Sequence, residues 1–547
     1  MPREAPAAGA VHTVVFGGFA SKELAKRIDD CTPSLVLTAS CGIEPSRVVP
    51  YKPLVDGAIA LAQHKPATRI YLQRPQQPAA LDPAQGELDW ATEIARAAPA
   101  GCVPVAAADP LYVLYTSGTT GRPKGIQRDN GGHAVALKRT MSLIYGVEPG
   151  DVFWAASDIG WVVGHSYIVY GPLLHGCTTI LYEGKPVGTP DAGAFWRVCD
   201  QYGVRALFTA PTALRAIKRE DPEGRLVQPY AMPKLATMFL AGERSDPESL
   251  TWASRVLRRP VVDHWWMTET GWAITGLARG LEAQEVRPGS AGQVMPGFDV
   301  VLMDESGKET MSPLHPDYDE ARDGAQLQAT AAAEAEHLRD YEGPGAHPSH
   351  GVVAGSIALR LPLPPGTLQT LWRNDEGLRA SYLARFPGFF DTGDAGYVSA
   401  DGFLSVMTRA DDIIQIAGHR LSTGMLEEVL ASIPEVAECA VVGARDQLKG
   451  MRPVGFVVLK HGAARAPGDV VADAIARVRS SIGAFACFDR CYVVPRVPKT
   501  RSGKVLRRTL RAIVNGDPVD IPATIEDPAV VEEIQAHFPA AAAAPAP

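Results

Sequence analysis

Short apolar stretches alternate along much of the chain with longer segments in which apolar and polar residues mix. The stretches that predict strands lie at residues 11–16, 34–39, 111–115, 151–154, 178–182, 206–209, 235–241 and 261–263. The segments that predict helices lie at residues 21–30, with Ser21 as the N-cap, 133–145 and 195–202. Strands that alternate with covering helices are typical of a parallel sheet, so the pattern predicts an α/β fold.

Three turns follow strands of this predicted sheet, and they begin at Thr116, Gly242 and Trp265. Ligands of open α/β sheets bind beyond the carboxyl ends of the strands. We therefore expect these turns to meet around one ligand.

The pattern changes towards the C-terminus. Residues 389–420 predict short strands joined by tight turns, with a hairpin signal at Asp401 and Gly402. The later helices are predicted at residues 425–432 and 469–482, and the later strands at 437–442, 455–459 and 491–494. We predict a large N-terminal α/β domain over residues 1–409 and a small C-terminal α+β domain over 410–530. The Ala- and Glu-rich residues 308–350 predict a surface insertion, and residues 531–547 a disordered tail.

Composition narrows the class of protein. Of the 547 residues, 46% are hydrophobic and 21% charged, which is typical of a globular chain. The net charge of −8 argues against nucleic acid or an anionic membrane as the main partner. The eight cysteines form no CxxC pair, as expected of reduced thiols inside a cell. No apolar run reaches the roughly 18 residues of a membrane span. We expect a cytoplasmic protein, or one of the mitochondrial matrix if a leader precedes this sequence.

The clearest candidate chemistry lies in the stretch LYTSGTTGRPKGI at residues 114–126. An apolar strand leads into hydroxyl side chains and glycines, namely Thr116, Ser117, Gly118, Thr119 and Thr120. Glycines allow backbone N–H groups to approach a polyphosphate closely, and Lys124 adds a positive charge. A Walker A loop would need glycine where Pro123 stands. The stretch therefore predicts a phosphate-binding loop of another kind.

Four motifs follow one another along the chain. They are YTSGTTGRPKG at 115–125, WWMTETG at 265–271, DTGD with YVSADGFLSVMTRADD within 391–412, and PKTRSGK at 498–504. Together they resemble the adenylate-forming, or AMP-binding, enzymes. GHSYIVYGPLLHG and DHWWMTETGW resemble the propionyl-CoA synthetase branch of the short-chain acyl-CoA synthetases. The resemblance implies that ATP activates a short carboxylate, above all propionate, as an acyl-adenylate, which is then transferred to coenzyme A with release of AMP and pyrophosphate.

The resemblance also implies roles in adenylate formation. Lys504 would lie between the carboxylate and the α-phosphate, where charge builds up. Thr116 and the loop after it, with Lys124, would bind the β- and γ-phosphates. Glu269 would hold Mg²⁺, a cation that prefers carboxylates, phosphate oxygens and water. The other residues expected around the nucleotide are Gly242, Glu243, Arg244, Asp263, His264, Trp265, Trp266 and Met267, with Thr268 at the α-phosphate, Asp394 and Arg409 at the ribose, and Arg420 at the phosphate.

The resemblance further implies a second step in which the small domain rotates about a hinge at Asp411. Gly418 would then line a tunnel for pantetheine, although a simple strand bulge is another interpretation of this glycine. Arg47 and Arg479 match positions near the 3′-phosphate of coenzyme A. Lys504 is also a candidate target of lysine-modifying enzymes.

By the same resemblance, the acyl pocket is formed by Val162, Val163, Ala241 and Trp266. A tryptophan makes a large, rigid wall, so the acid must be short. Ala241 stands where acetate-specific relatives tend to carry valine, which leaves room for one more methylene, worth about 0.8 kcal/mol when buried. We therefore expect a preference for propionate over acetate and butyrate.

Three alternatives remain open at this stage. The first is an acetyl-CoA synthetase. The second is an inactive nucleotide-binding homologue, because close relatives carry further residues before Val11. The third is an adenylation domain that serves a carrier protein, which Arg47 and Arg479 disfavour.

Overall fold

In the computed structural model, the described residues are 9–538 except 18, 46, 117–123, 244, 305, 316, 320–352, 410–411, 417–418, 447–449, 461, 483–485, 501–502 and 523. The strands are β1 (Leu35–Ala39), β2 (Cys41–Glu44), β3 (Arg47–Pro50), β4 (Thr68–Leu72), β5 (Glu87–Asp89), β6 (Pro110–Thr116), β7 (Lys124–Asp129), β8 (Val152–Ala155), β9 (Thr178–Thr179), β10 (Val204–Thr209), β11 (Thr237–Leu240), β12 (Val261–Asp263), β13 (Thr275–Gly276), β14 (Gln293–Val294), β15 (Val300–Met303), β16 (Val353–Arg360), β17 (Thr370–Leu371), β18 (Phe389–Val398), β19 (Leu404–Arg409), β20 (Ile413–Ile416), β21 (His419–Ser422), β22 (Val436–Asp446), β23 (Gly450–Leu459) and β24 (Arg490–Val493).

The helices are α1 (Ser21–Cys31), α2 (Lys52–Leu61), α3 (Trp90–Arg96), α4 (Gly131–Leu143), α5 (Val162–Gly164), α6 (Gly171–His175), α7 (Ala194–Tyr202), α8 (Pro211–Glu220), α9 (Pro247–Leu257), α10 (Asp375–Leu378), α11 (Thr423–Ala431), α12 (Pro467–Ser481), α13 (Arg507–Asn515) and α14 (Ala529–Gln535). A π-helical turn, His165–Tyr170, joins α5 to α6. Among the described residues, no helix combines the length and the apolarity needed to cross a membrane.

A parallel sheet with the strand order β12-β11-β10-β8-β9 forms the centre of the large domain. On one face Trp154 and Leu207 pack in a cluster with residues of α7, α8 and α9. On the other face Phe153 and Phe208 pack with residues of α4. Both faces are therefore covered, which explains why β11 is buried at every position. The predicted α/β fold with parallel strands is confirmed.

The strand before the predicted phosphate loop has a different setting from the one expected. β6 is buried over residues 111–115, as predicted, but it pairs with β7 in an antiparallel hairpin, and β17 adds to β7. Thr116 and Lys124 face each other at the last pair of this ladder. The expectation that all three turns leave parallel strands was therefore wrong for Thr116, although Gly242 and Trp265 do follow parallel strands. A short apolar run predicts a buried strand but not its direction.

Both domains contain further sheets. β15, β16, β18 and β19 form an antiparallel sheet, in which the hairpin predicted at Asp401 and Gly402 joins β18 to β19. β1, β4 and β5 form a separate parallel sheet. In the small domain β20 to β24 form one sheet, covered by α11 and α12 on one face and by α13 and α14 on the other.

Several predicted boundaries were wrong. Residues 11–16 form no strand and make only a bridge from His12 to Tyr112. Ser21 is the first residue of α1 and not its cap, and its hydroxyl donates to the Leu54 carbonyl at 2.8 Å. The tail is not disordered from residue 531, because α14 continues to Gln535 and buries Val531. The insertion does not start at 308, because Glu309 bridges to Met303 of β15, and its residues 320–350 lie outside the described part.

Candidate active site

A large cavity of about 1890 Å³ lies between the two domains, beyond the carboxyl ends of β11 and β12. Residues from both domains line it. The sequence-predicted residues that the structure brings together here are Thr116, Lys124, Val162, Val163, Ala241, Gly242, Glu243, Asp263, His264, Trp265, Trp266, Met267, Thr268, Glu269, Asp394 and Lys504. Phosphate, sugar, acyl and lysine candidates therefore share one site.

A chain of three side chains connects the β6–β7 hairpin to the loop after β12. Tyr382 donates a hydrogen bond to Oε1 of Glu269 at 2.5 Å. The ring of the same tyrosine lies 4.6 Å from Nζ of Lys124 and stacks on Phe390. The Glu269 side chain is thus held at the cavity, although the residue is only 7% exposed. A carboxylate in this setting suits a cation that is shared with phosphate oxygens.

The predicted ribose-binding carboxylate is also oriented by a neighbour. Asp394 is buried on β18, and its Oδ2 accepts a hydrogen bond from the indole N–H of Trp265 at 3.1 Å. Arg409 is the residue directly opposite Asp394 on β19. Trp265 therefore links the loop after β12 to the sheet that would carry the sugar.

His264 is a buried, neutral part of the site. Its Nδ1 lies 2.8 Å from the Leu240 carbonyl, which can only accept, so Nδ1 carries the proton and Nε2 accepts from Tyr145 at 3.1 Å. Burial lowers the pKa of His264 to about 4. The imidazole thus fixes the start of the loop and carries no charge at neutral pH.

Buried histidines also predict that acid destabilises the fold. Burial lowers the pKa of His165 to about 4 and that of His133 well below its usual value. Between pH 6.5 and 4 the unfolded chain binds protons that the folded chain does not, so the free energy of unfolding falls as the pH falls. Each such group contributes about 1.4 kcal/mol per pH unit. Because the histidine of the unfolded chain titrates near pH 6.5, the full slope is reached only below that pH, and we expect His133→Gln to reduce the loss of unfolding free energy between pH 7.0 and 5.5 by about 1.2 kcal/mol in urea unfolding. The same change at partly exposed His64 serves as the control, and equal slopes for both variants would contradict the prediction.

The four side chains predicted to form the acyl pocket all line the cavity. Val162 and Val163 begin α5, and Ala241 follows β11. The indole of Trp266 meets the ring of Tyr167 edge to face, with centroids 5.5 Å apart at 82°. The Tyr167 hydroxyl is in turn 3.1 Å from the Thr140 hydroxyl. The tryptophan is therefore backed by a buried, hydrogen-bonded partner and forms a firm wall.

The small domain contributes Lys504 to the cavity from a tight turn. The Thr500 N–H donates to the Lys504 carbonyl at 2.8 Å, and the Gly503 N–H donates to the Thr500 carbonyl at 2.7 Å. Gly503 has φ +87°, and a Cβ at this position would lie 2.3 Å from Cγ2 of Thr212 on α8. Only glycine suits both the backbone and this close approach. The turn is therefore seated directly on the large domain.

A charged pair stands beside this contact. Glu438 on β22 forms an ion pair with Lys499 of its own domain and lies 3.7 Å from Arg219 at the end of α8. The Arg219 side chain is 42% exposed. The small domain is thus held over the cavity by the glycine contact and by a partly exposed ion pair.

Other predicted residues are placed differently. The Glu243 carboxylate accepts hydrogen bonds from Arg215 at 2.6 Å and from the Thr212 hydroxyl. Glu243 therefore binds side chains of α8 in addition to lining the cavity. Arg47 is exposed and pairs with Glu44 at 2.8 Å, and Arg479 is exposed in the last turn of α12. Neither arginine lines the cavity. The predicted residues outside the described part are Ser117, Gly118, Thr119, Thr120, Arg244, Asp411 and Gly418, together with the side chains of Arg409 and Arg420.

Two residues that hold the loop after β12 were not predicted from the sequence. Tyr382 lies in a π-helical turn, and nothing in the surrounding RASYL marks it as functional. Arg128 is fully buried beneath the loop after β12, two residues beyond the end of the phosphate-loop stretch. Because β7 was not predicted as a strand, nothing in the sequence analysis pointed to Arg128.

The chain matches the family model of AMP-binding enzymes over residues 5–316 and that of the AMP-binding enzyme C-terminal domain over 425–504. It is 48% identical to bovine (Bos taurus) acyl-CoA synthetase short-chain family member 3, mitochondrial, with 96% of this chain and 71% of the relative covered. It is 40% identical to propionate–CoA ligase of Salmonella typhimurium, with 96% and 78% covered. Among solved structures, acetoacetyl-CoA synthetase from Streptomyces lividans shares the fold, with a TM-score of 0.79 at 21% identity and coverage of 98% and 75%.

The chain therefore belongs to the AMP-binding, adenylate-forming enzymes, and within them to the short-chain acyl-CoA synthetases. It is an AMP-forming acid–thiol ligase, which uses ATP to activate a carboxylate as its adenylate and then joins the acyl group to coenzyme A.

Proposed function

We propose that the acid is propionate, and that the residues gathered in the cavity divide the reaction between them. The observation that carries this proposal is that Lys504, Glu269 and the Trp266 wall all line one cavity. An acyl group held against Trp266 would direct its carboxylate into the cavity that Lys504 and Glu269 also line.

In the first step a carboxylate oxygen attacks the α-phosphorus, and the bond from that phosphorus to the pyrophosphate oxygen breaks. Lys504 stabilises the carboxylate and the α-phosphate as they approach, and Thr268 donates to the α-phosphate. Thr116 and Lys124 bind the leaving pyrophosphate. Asp394 accepts from the ribose hydroxyls, with Trp265 holding its orientation.

The residues present fit a magnesium ion. Glu269 offers one carboxylate at the cavity with its Oε1 already oriented by Tyr382, and Mg²⁺ commonly takes one or two carboxylates and completes its shell with phosphate and water oxygens. When bound, the ion would neutralise charge on the phosphates. Glu269 would hold it, together with the phosphate oxygens of the nucleotide.

In the second step the sulfur of coenzyme A attacks the acyl carbon, the thioester bond forms, and AMP leaves with the bond electrons. Lys504 must withdraw from the cavity so that the thiol can enter. We assign the hinge to Asp411, the tunnel to Gly418, and the binding of the distal phosphate to Arg47 and Arg479, by the resemblance of their positions to the family.

A panel of acids tests the whole proposal. Acetate, propionate, butyrate and acetoacetate are each assayed with ATP, Mg²⁺ and coenzyme A, and pyrophosphate–ATP exchange is measured without coenzyme A. We expect the highest kcat/KM for propionate. A higher kcat/KM for acetate would favour an acetyl-CoA synthetase. The absence of exchange with every acid would indicate a protein that binds nucleotide without forming an adenylate.

The size of residue 241 provides a sharper test of the acyl pocket. Ala241 is 6% exposed and adjoins the cavity, so Ala241→Val adds two methyl groups to the acyl wall. We expect the ratio of kcat/KM for propionate to that for acetate to fall by about 10- to 200-fold, the usual range for one methylene. Ala241→Ser, which adds a smaller group, is the matched control. An unchanged ratio in the valine variant would place the pocket elsewhere.

Lys504 is also a candidate target of lysine-modifying enzymes. Lys504 is exposed at the cavity, so an enzyme that acylates its amine would remove the charge needed for adenylate formation.

We assign the protein to the cytoplasm or, with a leader, to the mitochondrial matrix, where ATP and coenzyme A are both present.

A further inference from the structure

A buried arginine lies beneath the loop that carries Thr268 and Glu269. Arg128, on β7, is 0% exposed and is among the largest fully buried side chains. It is not among the residues that line the cavity. Any effect of Arg128 on the nucleotide must therefore act through the residues that it holds.

The guanidinium binds the main chain of that loop directly. Its Nη1 donates to the Glu269 carbonyl at 2.9 Å and to the Gly366 carbonyl at 2.8 Å, and its Nη2 donates to the Thr268 carbonyl. Its Nε donates to the Tyr112 hydroxyl at 3.2 Å. One planar group thus joins β6, the loop after β12 and the turn before β17.

The acceptors of these hydrogen bonds are all neutral oxygens. Removing a charge from water is costly, and here charge-assisted hydrogen bonds to three carbonyls and a hydroxyl offset that cost. Because each bond has a defined direction, the guanidinium fixes the carbonyls in position as well as satisfying them.

The loop is shaped to admit this group. Gly271 has φ +74°, and a Cβ there would lie 2.8 Å from Cζ of Arg128. The Gly271 N–H donates to the Met267 carbonyl at 3.1 Å, which closes the turn around Thr268 and Glu269. The sequence TETG therefore accommodates the arginine at the same point where it presents its two functional side chains.

We propose that Arg128 is a positioning residue, which fixes the main chain of Thr268 and Glu269 so that their side chains meet the α-phosphate and the magnesium ion. This inference rests on the proposed function. Tyr382 orients Glu269 through a hydrogen bond to its carboxylate, and Arg128 orients the same residue through a hydrogen bond to its backbone carbonyl.

The test is Arg128→Lys, which keeps the charge but replaces the planar fork by one ammonium. We expect pyrophosphate–ATP exchange to fall by about ten- to hundredfold, the range that a misplacement of about 1 Å causes. The Mg²⁺ concentration for half-maximal exchange should rise several-fold, while the KM for propionate stays within twofold. Arg69→Lys is the matched control, because Arg69 is a largely buried arginine on β4 that also binds a backbone carbonyl, away from the site.

The outcomes separate the two proposals. No exchange by the wild-type enzyme would overturn the proposed function and, with it, this inference. Wild-type exchange together with an unchanged Mg²⁺ requirement in Arg128→Lys would overturn only the role of Arg128, even if the variant melts earlier. If Arg128→Lys does not fold, Tyr112→Phe takes its place, since it removes one acceptor of the guanidinium. A several-fold rise in the Mg²⁺ requirement would then support the inference, and none would overturn it.

Discussion

Replacing Lys504 by alanine will reduce pyrophosphate–ATP exchange by at least about 10²- to 10³-fold, the loss typical of removing one preorganised donor from a transition state. Lys504 lines the cavity at the end of the Thr500 turn, and in the proposed mechanism its ammonium is the charge that the small domain contributes where carboxylate and α-phosphate approach each other. Formation of propionyl-CoA from added propionyl-adenylate will fall far less, because the thiol attacks only after the lysine has left.

The control for this prediction is Lys138→Ala, which removes an exposed lysine from α4, outside the cavity. It should leave both half-reactions unchanged. Equal losses in the two half-reactions of the Lys504 variant would show that Lys504 supports the fold or the binding of AMP and not adenylate formation in particular.

Glu269→Gln should have an effect of similar size. Glutamine keeps the length of the side chain and an oxygen that accepts from Tyr382, but it removes the negative charge that attracts Mg²⁺. We expect exchange at 5 mM Mg²⁺ to fall by about 10²-fold or more, because the phosphates lose the cation that neutralises them. A higher Mg²⁺ concentration should restore part of the rate.

The matched control is Glu376→Gln at an exposed position on α10 that does not line the cavity. A Glu269→Gln enzyme that keeps the wild-type Mg²⁺ dependence would exclude this carboxylate as the metal ligand. Tyr382→Phe tests the hydrogen bond alone. It keeps the negative charge of Glu269 and removes only the hydrogen bond that orients the Glu269 carboxylate.

The sequence predicted those parts of the site that lie within continuous motifs. The WWMTETG loop, Asp394 and the Lys504 turn all line one cavity, and each belongs to a motif that is continuous in the sequence. The strand before Thr116 was also predicted, yet its antiparallel partner was not. Five apolar residues are equally compatible with either direction, and the choice is made by a partner strand that lies beyond the loop.

Tyr382 and Arg128 could not be predicted in the same way. Tyr382 is 113 residues from Glu269, and Arg128 is 141 residues from the same glutamate. Their roles come from tertiary contacts. Arg128 binds three backbone carbonyls and one tyrosine hydroxyl, and main-chain acceptors leave no recognisable residue type in a sequence motif. The predicted tail failed for a related reason, since Val531 is buried only because α14 packs on the small-domain sheet.

The contact between the small domain and α8 affects how activity measurements on this enzyme are interpreted. Gly503 meets Thr212 through carbon atoms, and the adjacent Arg219–Glu438 pair is partly exposed at 3.7 Å. Such a pair contributes at most about 1 kcal/mol and weakens as ionic strength rises. In the proposed mechanism, ionic strength therefore influences the fraction of molecules in which the small domain presents Lys504 to the nucleotide. Rates measured at different salt concentrations would then reflect this fraction as well as the chemical step.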